Sequence, residues 1–256
     1  MKSLIRGFVV AFSKYSFFPK TEIKDEKVDY QYILMFVPLI GLIIGGVLFG
    51  WGFAQPYLCN FAILPAVIGI VVPTIISGGS HIEGFIKTVD ALSAHKPRQK
   101  KMEILADAHG GYFGIIVCVC YYLIGLGIWS EMPLQGITIL AFGFIMTRAL
   151  FGLSILTLKH AKESKCMNYV PESKSAQLAE IIILAVYALG CSYLMVMLDA
   201  VVGLSCVAGV VITFLCYWAV SYKHFDGITE DTASFFLQVC EVIIPFAALL
   251  AYKRWW

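Results

Sequence analysis

The residues able to do chemistry fall in three polar stretches. The first runs from Gly78 to Leu92 and holds His81, Glu83, Lys87 and Asp90. In a helix, Glu83, Lys87 and Asp90 fall at i, i+4 and i+7, on one face. Two carboxylates on such a face could hold a hard cation such as Mg²⁺, which prefers oxygen ligands and phosphate. His81 could act as an acid, a base or a hydrogen-bond donor. A solvated loop with one i,i+4 Glu–Lys pair accounts for the same spacing.

The second stretch, Lys101 to Gly114, puts Glu103 and Asp107 on one helical face. It then breaks at His109-Gly110-Gly111, where glycine lets a backbone approach a ligand closely. A helix end with turn residues is the simpler account of that spacing. The third stretch, Asp226 to Ser234, carries Gly227, Thr229, Glu230 and Asp231. Asp231, Ser234, Gln238 and Glu241 form a stripe at i, i+3, i+7 and i+10 that runs into an apolar segment. An ionisable residue inside a membrane span is costly and marks a functional candidate. Arg148 is the basic residue set well within a span, and a pair with Glu241 would cancel both charges.

The elements that carry these stretches are membrane helices. Hydrophobic residues make up 59% of the chain and charged residues 14%, with a net charge of +2. Soluble domains run at about half apolar and a quarter charged, so a soluble enzyme, a disordered tail and a DNA-binding domain are excluded. No nucleic-acid partner is expected. Apolar runs near 33–53, 62–79, 112–129, 133–157, 177–197, 200–222 and 235–252 predict seven spans, each close to the roughly 20 residues a bilayer needs. The expected fold is all-α, a polytopic membrane helical bundle of about seven transmembrane helices. It forms a single domain over 1–256, with 1–32 as an N-terminal segment and 33–252 as the bundle. Leu4, Ile5, Phe8, Val9 and Phe12 predict an interfacial helix before the bundle, and 20–29 reads as a solvated linker. Leu198-Asp199 predicts a tight hairpin. The eight cysteines lack any CxxC spacing and read as packing residues.

Lysine and arginine crowd the N-terminus and the connections 80–111 and 158–176, with Lys223 in 223–234. The alternate connections 54–61, 130–132 and 198–199 hold none. The positive-inside rule then puts the polar stretches in the cytoplasm, as for a multi-pass protein of the bacterial cell (inner) membrane. Lys253 and Arg254, at the opposite end, dissent mildly.

Taken together, the motifs resemble those of the cobalamin synthase family, the adenosylcobinamide-GDP ribazoletransferases. The first motif is matched by Gly78, Gly79, His81, Gly84, Thr88, Asp90 and Leu92. The second is matched by Glu103-Ile104-Leu105, Asp107, His109, Gly111 and Phe113, and the third by Gly227, Thr229 and Asp231. Phe18-Pro19, Phe36 to Gly41 and Thr147-Arg148 fit in order and spacing, so the resemblance covers nearly the whole chain. It implies a membrane transferase that joins adenosylcobinamide-GDP to α-ribazole, or its 5′-phosphate, and releases GMP. It implies Mg²⁺ as cofactor, with Glu83, Asp90, Asp107 and Asp231 as ligands. His81, His109 and Arg148 are the implied catalytic residues, and Gly79, Gly84, Gly111, Gly227 and Thr229 would meet substrate. The lipid bilayer is the implied surrounding, and a homo-oligomer is left open.

Four positions depart from the family pattern. Glu83 stands for an aspartate, Lys87 for a second aspartate, Glu230 for a glycine and Asp226 for another glycine. Glu230 and Asp226 are therefore expected to compensate for the acid lost at Lys87. Two rival readings are a CDP-alcohol phosphotransferase-like lipid enzyme and a transporter. The first requires Ala-Arg after the acidic Gly pair, which Glu83-Gly84 lacks. Acids crowded into loops argue against the second.

Overall fold

The computed structural model describes residues 2–17, 32–58, 63–107, 111–162 and 164–253. The predicted linker 20–29 and His109 lie outside them. The described residues form ten α-helices and two short 3-10 turns, with one isolated bridge between His160 and Ile228. The all-α membrane bundle expected from composition is the fold observed.

Helix α1 (Lys2–Tyr15) is amphipathic. Leu4, Ile5 and Phe8 are exposed, whereas Val10, Ala11 and Tyr15 are buried against the bundle. A 3-10 turn (Leu34–Phe36) leads into α2 (Val37–Leu58). After α3 (Leu64–Ile76) come α4 (Ser80–Ser93) and α5 (Arg98–Ala106). The remaining helices are α6 (Tyr112–Ser130), α7 (Leu134–Thr157), α8 (Lys174–Leu198), α9 (Ala200–Phe225) and α10 (Glu230–Lys253).

Six helices are long and apolar enough to cross a membrane: α2 and α6 to α10. The predicted second span, 62–79, is present as one arm of a bent pair, α3 and α4, which together are apolar enough for a seventh crossing. Its helix α3 has 13 residues and is followed by a 93° bend into α4. At 1.5 Å per residue that is about 20 Å, short of the roughly 30 Å of hydrocarbon. The bend is built by Gly78 and Gly79, at φ +62° and +73°, a left-handed region open to glycine at little cost. Even so, α3 runs between the two ends of the bundle. Pro65 and Ala66 share a cavity with Trp129, Ser130 and Met132 at one end. At the other end Ile76 O accepts from Phe17 N at the close of α1.

Helix α7 is the axis. Most of its apolar window is buried (72%), against 22% for α8 and 28% for α6 and α9. The outer helices leave apolar side chains such as Leu123, Val186, Leu189 and Ile212 exposed, as lipid-facing helices do. The predicted hairpin is present: Asp199 caps α9, its Oδ1 accepting from Val201 N and Val202 N at 3.0 Å each.

Candidate active site

The three polar stretches meet at one end of the bundle. Close approach of α4 and α10 makes this possible. A Cβ on Gly84 would lie 2.7 Å from Ser234 Cβ and 3.0 Å from Asp231 Cα, so only glycine lets the helices touch there. The bridge between His160 and Ile228 pins the 158–173 connection beside the start of α10, with Ala161 N donating to Ile228 O at 3.0 Å and Ile228 N to Lys159 O at 2.9 Å. Gly227 sits in this contact, where a Cβ would strike His160 C at 2.5 Å. Thr229 and Thr232 cap α10 reciprocally, each hydroxyl accepting from the other's N–H at 3.1 and 2.9 Å.

Between these elements lies a cavity of about 270 Å³, lined by Lys87, Met102, Leu105, Ala106, Ser164, Thr229, Glu230 and Asp231. Residues from all three motifs therefore share one wall. Lys87 Nζ binds Glu83 Oε1 at 2.6 Å and also feels the carboxylates of Asp231 and Asp107. Among the described residues, no three His, Cys, Asp or Glu side chains converge as a metal cage. Mg²⁺ does not need one, since it keeps waters and takes substrate phosphates beside one or two carboxylates. Glu83, Asp107 and Asp231 all act on the Lys87 ammonium.

Asp90 has a different task. Its Oδ2 accepts from Gly111 N at 2.6 Å and its Oδ1 from Gly114 N at 2.7 Å, so both oxygens cap α6. Side chain and helix terminus are thereby joined as anion and dipole. Gly111 serves this contact, since a Cβ there would meet Asp90 Oδ1 at 2.7 Å. Gly79 belongs to the bend before α4 and Gly84 to helix packing. Of the five residues expected to meet substrate, Thr229 alone lines the cavity.

His81 and Arg148 are not on the cavity wall either. His81 is 1% exposed, packed between Tyr15 (5.8 Å, stacked) and Phe151 (5.6 Å, edge-on). Its Nδ1 lies 3.3 Å from Ser234 Oγ. Arg148 is fully buried and pairs with Glu241 at 2.9 Å, as its sequence position suggested. Gln238 extends the network, donating to Glu241 Oε2 at 3.2 Å and to Tyr121 OH at 2.6 Å.

Of the two acids expected to compensate at Lys87, Glu230 shares the cavity wall with it and Asp226 does not. Glu230 receives Lys14 Nζ at 2.9 Å and Tyr15 OH at 3.1 Å on Oε1, and Tyr169 OH at 3.3 Å on Oε2. Asp226 pairs with Lys159 at 2.9 Å and Arg98 at 3.4 Å. The hydrogen bond and charge of Lys159 hold its carboxyl below the usual range. Both acids are thus ion-paired to cations other than Lys87. Lys14, Tyr15 and Tyr169 were not singled out from sequence. Their partner lies 61 to 216 positions away, and no local spacing signals it.

The model of the cobalamin-5-phosphate synthase family matches residues 7–249. An adenosylcobinamide-GDP ribazoletransferase of Lachnoclostridium phytofermentans is 31% identical over 246 residues, covering 94% of this chain and 92% of the relative. Proteins of the same name from Clostridium botulinum strain Alaska E43 and Clostridium perfringens strain 13 are 27% and 26% identical. They cover 98% of this chain, and 99% and 98% of themselves. No solved structure matches.

Proposed function

The chain belongs to the cobalamin-5-phosphate synthase family, and from that premise we propose that it joins adenosylcobinamide-GDP to α-ribazole or its 5′-phosphate, releasing GMP. The observation that carries this reading is the cavity shared by the three motifs, with the Lys87 ammonium and the Asp231 carboxylate on one wall. In the reaction a ribazole hydroxyl oxygen attacks the phosphorus that bears the cobinamide. The bridging P–O bond breaks, GMP leaves with the electron pair, and the hydroxyl proton passes to a base. Such a transfer depends on positioning and on neutralising phosphate charge. Lys87 supplies a fixed positive charge at the cavity. Asp231 and Asp107 are the carboxylates near enough to Lys87 to take the proton. Mg²⁺, held by one or two of the carboxylates near Lys87 together with substrate phosphate, would add charge neutralisation. A cavity of about 270 Å³ is at the small end for ligand sites. It suits the reacting phosphate and the attacking hydroxyl, with the corrin ring outside. The test is cobamide formation by the purified full chain in nanodiscs, supplied with adenosylcobinamide-GDP, α-ribazole and Mg²⁺. No product at any Mg²⁺ concentration sinks the reading.

We also infer that the site faces the cytoplasm of a bacterial inner membrane. The basic connections 77–111 and 158–173 and the end of α1 all gather at the cavity's end of the bundle, which supports a positive-inside orientation. In a background freed of cysteine, Lys100→Cys should resist an impermeant thiol reagent in intact cells. Labelling from outside reverses the orientation.

A further inference from the structure

The elements that wall the cavity also carry a cluster of cations beside it. Helix α5 contributes Met102, Leu105 and Ala106 to the wall and, one turn earlier, Arg98 and Lys101. The 158–173 connection contributes Ser164 to the wall, with Lys159 and Lys162 just before it. The α9–α10 turn contributes Thr229 and the start of α10 contributes Asp231, with Lys223 in the last turn of α9. Arg98, Lys159 and Lys162 all act on Asp226, and Lys101, Lys223 and Arg98 all act on His224. Among the described residues, Asp226 is the carboxylate these cations meet.

Lys101 is the most telling member. It is 6% exposed, yet the described partners of its Nζ are uncharged or basic: Leu92 O at 3.5 Å and His224 Nδ1 at 3.1 Å. A buried ammonium without a carboxylate is costly, and lysines crowded around an imidazole repel one another. An incoming anion would relieve both. Asp226 already shows where such an anion sits. It is held at φ +62°, in the left-handed region, with its Oδ1 between Lys159 and Arg98.

We propose that this patch, Arg98, Lys101, Lys159, Lys162 and Lys223 around Asp226, is the binding subsite for the pyrophosphate of a guanosine diphosphate group. This deepens the transferase reading of the same site and rests on it. The patch and the cavity share all three of their supporting elements. The several cations suit a multiply charged diphosphate better than a single phosphate, and the guanosine base is left to extend away from the cavity. Asp226 competes with the ligand for Lys159 and Arg98, so it sets a limit on affinity.

The experiment is calorimetric titration of GDP into the full chain in phosphatidylcholine nanodiscs, without divalent metal. Lys159→Gln/Lys162→Gln, both exposed and without a role in the core, should weaken GDP by about tenfold and leave guanosine unaffected. Asp226→Asn, which keeps a residue tolerant of the left-handed turn, should tighten GDP severalfold. Unchanged GDP binding in both variants overturns the proposal. So does displacement of GDP when phosphatidylglycerol replaces phosphatidylcholine, because the patch would then hold a lipid headgroup. The two readings fail separately. Wild-type binding without cobamide formation removes the reaction and keeps the subsite. A normal KM for adenosylcobinamide-GDP in the double variant removes the subsite and keeps the reaction.

Discussion

Arg148 and Glu241 meet 2.9 Å apart in the bundle core, their side chains 0% and 6% exposed. Arg148 also donates to Phe144 O at 3.3 Å, and Glu241 takes Gln238 on its second oxygen. The pair joins the axial helix α7 to α10, and α10 presents Asp231 to the cavity. Removing one partner of a buried pair strands the other charge, at a cost of about 3–5 kcal/mol. Arg148→Met should therefore unfold far below wild type on heating in nanodiscs, and Arg148→Met/Glu241→Gln should recover most of the loss. Activity should return with stability in the double variant. A stable but inactive double variant would instead make Arg148 a group that touches substrate.

Asp90 supports a helix with both oxygens, and this separates it from the other carboxylates. Asp90→Asn keeps one acceptor and offers an amide to the second N–H, at a cost of about 1–2 kcal/mol. Activity should fall together with thermal stability, and added Mg²⁺ should restore neither. Asp231→Asn should abolish transfer at wild-type stability. Rescue of Asp90→Asn by high Mg²⁺ would return that residue to the metal.

The sequence made the class of fold plain, because a bilayer demands long apolar runs and this chain has them. It also made the Arg148–Glu241 pair plain, since two charges inside spans need each other. The length of α3 was hidden: no charge interrupts the run through Ile76 to Gly79, and hydropathy does not register a 93° bend. Gly78-Gly79 was the available signal, a pair that left-handed turns favour. Capping by Asp90 was hidden for another reason. The i+7 spacing fixes which face of α4 it occupies, not which helix lies opposite, and its partners begin 21 residues later. Glycines that resemble a ligand cradle, Gly84, Gly111 and Gly227, serve close contact between protein elements.

Glu230 ties α1 to the site through Lys14, Tyr15 and Tyr169. Glu230→Gly removes every one of these contacts and adds glycine to the first turn of α10. Glu230→Gln keeps hydrogen bonds and loses only the ion pair, which is partly exposed and worth about 1 kcal/mol or less. Proteolysis at the end of α1 should accelerate in the order wild type, Gln, Gly. Equal rates would mean that α1 is held by its apolar face alone. Restoring glycine at 230 should thus lower activity, even beside Lys87→Asp.

Lys87 is the sharpest test of the cavity. Its ammonium is bonded to Glu83 and stands within the field of Asp107 and Asp231, so it balances part of a three-carboxylate charge. Lys87→Asp would leave four acids there with no fixed cation, repelling one another and the substrate's phosphates alike. Transfer should fall at least tenfold at low Mg²⁺, equivalent to about 1.4 kcal/mol in the barrier. It should recover in part as Mg²⁺ rises, because the ion can replace the missing charge. Lys87→Arg, which keeps the charge, should retain most of the activity and the wild-type Mg²⁺ dependence. Lys87→Met should fall between them. The quantity to measure is kcat/KM for adenosylcobinamide-GDP across a Mg²⁺ series for all three variants. If Lys87→Asp is neutral or faster at every concentration, the ammonium has no part in the reaction, and the positive charge at the cavity must come from the α5 and 158–173 cations instead.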